Sequence, residues 1–255
     1  MINYIVSIYV GNRGNGAVNS LTADSTYMAK RHLDLLSRLN VPMIKRATFV
    51  VSPSSFPEKD NAAVEFIMSH SGKIPGIEID SFIGENNNNH SYGSWNFGMM
   101  KYINEDLNFF LIEDDYFPSK DEFYLPFIEK MSDNIAYVPQ LYVHNREHRR
   151  HAAISNGLMN IKAARKHYET FGCCINIKLP DKKVYDAGVY TQLYFLKGLE
   201  DLGYKIDDVS KKYCHPFLER NNRIKLYGNQ NVETLIEPIF YEDKIRSTYK
   251  VAHNK

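Results

Sequence analysis

Short apolar runs and stretches of helical periodicity take turns along the first half of this chain, and no other feature narrows its fold as much. Residues 2–10 form an apolar run that ends in the turn-rich Gly11-Asn12-Arg13-Gly14-Asn15-Gly16. Residues 24–39 follow, with Met28, Leu35, Leu36 and Leu39 at helical spacing. A second strand is expected over residues 47–51, closed by Ser52-Pro53, then a helix over 61–69 and a third strand over 76–83. A polar loop at 85–90 leads to a helix over 94–103 and a fourth strand from Asn108. Such alternation predicts an α/β domain whose central sheet is mixed but mostly parallel and flanked by helices. Ligands of these sheets bind beyond the carboxyl ends of the strands.

The fourth strand, Asn108-Phe109-Phe110-Leu111-Ile112, delivers Glu113-Asp114-Asp115 to its C-terminal end, and Tyr116-Phe117-Pro118 is expected to stop it. Three adjacent carboxylates repel one another and gain nothing from a core. Oxygen ligands on a short tether suit Mg²⁺ or Mn²⁺, which keeps waters and takes further ligands from substrate phosphates. Residues two apart share one side of a strand, so Glu113 and Asp115 are expected to converge on one ion. An ordinary acidic turn is the competing reading.

Beyond residue 121 the pattern loosens. A helix is expected over 122–131, with Pro126 in its first turn or kinking it, then a strand over 135–143 and a polar segment over 144–151. Residues 152–159 read as a short strand or loop containing Asn156-Gly157, residues 161–171 and 186–202 as helices, and 204–209 as a further strand. The cluster His144-Asn145-Arg146-Glu147-His148-Arg149-Arg150-His151 is the one dense basic segment, read first as a solvated loop. One domain is expected over 1–240, in halves of about 1–118 and 119–240, with a charged tail at 241–255.

With 255 residues, 44% hydrophobic and 24% charged, the composition is that of a globular chain, and a net charge of +1 gives no support to a general nucleic-acid or membrane-surface binder. The apolar N-terminus lacks a basic leader and a cleavage site, so it reads as a strand rather than a signal peptide. No run approaches the length of a transmembrane segment. Cys173, Cys174 and Cys214 are odd in number and lack C-x-x-C spacing, so reduced thiols and a cytoplasmic setting are expected. The Gly11–Gly16 segment lacks the Gly-Lys-Ser/Thr of a P-loop and the spacing of a dinucleotide fingerprint.

The segment Tyr92-Gly93-Ser94-Trp95-Asn96-Phe97-Gly98-Met99-Met100, followed by the strand into Glu113-Asp114-Asp115 and then Pro118, resembles the nucleotide-sugar-dependent glycosyltransferases of the GT-A fold. In that family the corresponding helix carries an Asn-x-Gly-like pattern and the strand ends in Asp-x-Asp; here Glu113 stands in the first acidic place. The likeness is greatest to the small single-domain transferases of large DNA viruses and bacterial surface-polysaccharide loci. It implies a Rossmann-like GT-A domain that moves a monosaccharide from a nucleoside-diphosphate sugar, with UDP favoured, to a hydroxyl of a glycan or glycoconjugate.

The same resemblance implies site residues. Asp115 resembles the last acid of the motif, which holds Mn²⁺ or Mg²⁺. Glu113 resembles the first, which faces the ribose or, through water, the metal, and Asp114 between them could take either role. His215, in Tyr213-Cys214-His215-Pro216-Phe217, is a further metal-ligand candidate. Gly11, Asn12, Arg13 and Asn96 become donor-binding candidates, and Asn156-Gly157 resembles an acceptor-side turn. Asp186, opening its helix, stands where an inverting enzyme keeps the base that deprotonates the acceptor hydroxyl; its competing reading is a helix-start acid. Two other functions fit the same acids: a metal-dependent nuclease or phosphoesterase, and a catalytically inactive domain that binds sugar or nucleotide. The former would want a second cluster of ligands and a more basic chain.

Overall fold

Strand β1 (Ile2–Ile8) is buried along its whole length, which requires helices on both sides of it. The protein is described by a computed structural model over residues 1–10, 26–86, 90–114, 116–118, 120–144, 150–175, 196, 198–207, 209 and 240–242. Within β1, Tyr4, Val6 and Ile8 join one core and Ile5 the other, the two-residue alternation of an extended chain.

The first core lies under α1 (Tyr27–Arg38), α2 (Pro57–Met68) and α4 (Leu125–Lys130). Helix α1 turns Ala29, His32, Leu33 and Leu36 inward, one face of a 3.6-residue period. The second core lies under α3 (His90–Lys101) and α5 (Ile161–Phe171), where Trp95 and Met99 meet Phe109, Leu111 and Met159.

The main sheet adds β2 (Ile44–Val51), β3 (Glu78–Ile83), β4 (Asn108–Glu113), β6 (Ile135–His144), β7 (Arg150–Met159) and β8 (Lys205–Ile206), in the order β3-β2-β1-β4-β7-β6-β8. Four of its six neighbouring pairs run parallel, and β7 is antiparallel to both β4 and β6. The expected mixed, mostly parallel sheet flanked by helices is what the chain forms.

Several boundaries differ from expectation. Helix α2 starts at Pro57 rather than residue 61, because a proline at the first helical position loses no hydrogen bond. Helix α4 shortens to one and a half turns, with Pro126 in its first turn. Tyr116–Pro118 does more than stop β4: it forms β5, paired antiparallel with β9 (Phe240–Glu242), so Tyr241 and Glu242, placed in the tail by composition, contribute to a strand. The strand expected over 204–209 contracts to the two residues of β8. Of the helix expected over 186–202, residues 196 and 198–201 are helical and 186–195 lie outside the described residues.

Candidate functional site

The strand order reverses beside β1. Successive strands β1, β2 and β3 step one way, and the chain then crosses back through α3 to place β4 on the other flank of β1. This is the switch point at which doubly wound sheets leave a crevice beyond their carboxyl ends. Ser7 and Glu113 are register partners there, so the acids sit in that position.

The described acids do not point the same way. Alternation along β4 sends Phe110 and Ile112 to the α1 side and Phe109 and Leu111 to the α3 side. Glu113 follows the second set: its Oε1 accepts a hydrogen bond of 2.7 Å from the Ser91 hydroxyl in the first turn of α3, and the residue is half-buried. Asp114 is 4% exposed, and its Oδ2 accepts the Tyr9 N–H at 3.0 Å, closing the turn onto the end of β1.

The Asp114 carbonyl is 3.1 Å from His32 Nε2, and His32 Nδ1 is 2.9 Å from the Tyr4 hydroxyl. A carbonyl accepts only, so Nε2 carries the proton and donates, and Nδ1 accepts from the tyrosine. Burial pushes the His32 pKa down to about 4, against a smaller upward pull from Asp114. A neutral histidine therefore clamps the acidic turn from below.

On the α3 side, Trp95 Nε1 donates to the Ile112 carbonyl at 3.0 Å, and Ser52 and Ser94 exchange a 2.7 Å hydroxyl hydrogen bond. Asn96, expected at the donor, is 2% exposed and committed inside the fold. Its Oδ1 accepts the N–H groups of Cys174 (2.8 Å) and Ile175 (3.0 Å), and its Nδ2 lies 3.2 Å from Met100 Sδ. The amide brackets α3 to the chain beyond α5. The Asn-x-Gly pattern thus has a packing cause, since a Cβ on Gly98 would stand 2.8 Å from Ile5 Cγ2.

Asn156-Gly157 is no turn; it lies inside β7. A Cβ at Gly157 would meet the Val138 carbonyl at 2.6 Å and the Tyr137 ring at 2.7 Å, so no larger residue fits. Asn156 is fully buried, and its Oδ1 accepts the Glu113 N–H at 3.2 Å. Burial pushes the Tyr137 phenol well up, with Tyr92 and the Glu113 carboxylate adding to the shift.

Glu113 is the described acid whose exposure and oxygen chemistry fit a hard divalent cation, because the Asp114 carboxylate is turned inward. Among the described residues no three His, Cys, Asp or Glu side chains gather as a metal site. Gly11, Asn12, Arg13, Asp115, Asp186 and His215 lie outside the described residues. The sequence offers no signal for His32, a single histidine in an amphipathic helix. Ser91 immediately precedes the segment that carried the resemblance, but nothing local pairs it with Glu113.

No family model and no curated protein matches this sequence. Among solved structures, the crystal structure of S. aureus TarS matches over 83% of this chain and 35% of that one, with 11% identity and a TM-score of 0.46. The chain thus spans about a third of that protein. A likeness of that size carries no argument about activity, and the architecture above rests on the chain's own strand order and pairing. No described helix is long and apolar enough to cross a membrane.

Proposed function

We propose that this chain is a metal-dependent glycosyltransferase moving a monosaccharide from a nucleoside-diphosphate sugar, with UDP favoured, to a hydroxyl of a glycan or glycoconjugate. The observation that carries the reading is the position of the acidic terminus: Glu113 emerges half-buried beside the end of β1, where the strand order reverses. Glu113 and Asp115, with His215, are the residues assigned to Mn²⁺ or Mg²⁺, which when bound supplies positive charge to the departing diphosphate. Gly11, Asn12 and Arg13 follow β1 in sequence, which supports assigning them to the nucleoside. Asp186 is the proposed base for the acceptor hydroxyl, and inversion is favoured because an acid stands there.

A thermal-shift panel of nucleoside diphosphates and nucleotide sugars, with and without Mn²⁺, tests the donor assignment on wild type and Asp115→Ala. A ligand that binds only the native state raises Tm by mass action, by about 2.7 kcal/mol of stability at a hundredfold excess over Kd. The expected result is a Mn²⁺-dependent rise with one nucleotide, absent in the variant. No rise with any nucleotide sinks the transferase reading. Asp186→Asn is then expected to abolish transfer while leaving donor binding intact.

A further inference from the structure

The ladder between β4 and β7 stops early. Phe109, Phe110 and Leu111 pair with Met159, Leu158 and Gly157, and continuing that register would set Glu113 opposite Ser155. The pairing ends instead at Leu111–Gly157, while β7 goes on pairing with β6 as far as His144–Arg150. That second ladder shifts register between Pro139 and Leu141 and again between Leu141 and Tyr142. Such irregularities bend a strand and mark places where pairing is broken off. The two strands part at Asn156, and the end of β4 separates from the β6–β7 hairpin there.

Backbone groups alternate along a strand, so the Glu113 N–H faces β7 as those of Phe109 and Leu111 do. With the ladder ended, it needs another acceptor, and the Asn156 side chain supplies one at 3.2 Å. The same side chain has a cost. Asn156 is fully buried, and its Nδ2 has no partner among the described residues. An unmet buried donor is expensive, and a native protein keeps one where another demand outweighs it.

We infer that Asn156 is a positioning residue for Glu113: by accepting its N–H it ends the β4–β7 pairing at the fork and holds the carboxylate against the head of α3, facing the crevice. The significance for binding rests on the reading of the acidic terminus as a donor site, while the positioning itself does not.

Amide exchange of Glu113 in the full chain, measured residue by residue by NMR, reads the positioning directly. UDP binding in the presence of Mn²⁺ reads its consequence. Asn156→Leu removes the acceptor and is expected to speed Glu113 exchange roughly tenfold and weaken UDP binding by a similar factor, with Tm little changed because one unmet donor replaces another. Asn156→Asp keeps an acceptor in place and is expected to restore the slow Glu113 amide. Unchanged Glu113 exchange in Asn156→Leu overturns the inference, and so does fast exchange in a folded Asn156→Asp. Faster exchange with UDP affinity equal to wild type supports the positioning and overturns its link to binding. If the wild-type protein binds no UDP, the transferase reading fails separately, and the exchange rates of the two variants still decide the role of Asn156.

Discussion

His32 joins three parts of the molecule through one imidazole: Tyr4 in β1, the carbonyl of Asp114 after β4, and its own helix α1. Burial is what holds that ring neutral. In the unfolded chain the group takes up a proton near pH 6.5, whereas in the native state it does so near 4. Between those values the unfolded chain binds more protons, so stability falls as pH drops through the window and levels off below it. The full loss is on the order of 3 kcal/mol for this residue. His167, whose pKa burial also lowers, adds in the same direction. Urea denaturation from neutral pH to 4 should show the slope, and His32→Gln should flatten most of it. An equal slope in the variant would assign the effect elsewhere.

Among the elements, α5 was readable to the residue because its ends carry their own signals. Asn160 caps it by accepting the Lys162 N–H at 2.9 Å, and Gly172 ends it at φ 71°, a left-handed conformation that suits glycine. Short strands such as β5 and β8 carry no such signal, since each exists only through a partner far along the chain. The acidic terminus divides in the same way. Its place at a strand end is a local pattern. The divergence of Glu113 from Asp114 depends on Ser91, Asn156 and Tyr9, which are 22, 43 and 105 residues away. Asn96 shows how a motif misleads when read alone, because its amide is consumed by two backbone donors. Asn96→Leu would strand the Cys174 and Ile175 N–H groups and is expected to cost about 2–4 kcal/mol, two unmet buried donors, measured by urea unfolding. A loss below about 0.5 kcal/mol would mean that the bracket does not hold α3 in place.

Across the whole molecule, two cores on opposite faces of one sheet meet the same strand end, so α1 and α3 both bear on the residues after Ile112. One consequence is optical. Trp95 is the single tryptophan of the chain, 1% exposed, with its indole edge-on to Tyr92 at 5.1 Å and its N–H on the carbonyl that immediately precedes Glu113. Its emission should be that of a dry, rigid site and should shift to the red on unfolding. A paramagnetic ion such as Mn²⁺ seated at the acidic terminus should quench it in proportion to occupancy, reversed by chelation and absent in Asp115→Ala. The protein therefore carries its own fluorophore beside the residues whose occupancy is in question, and a titration in a cuvette reads the site without a label.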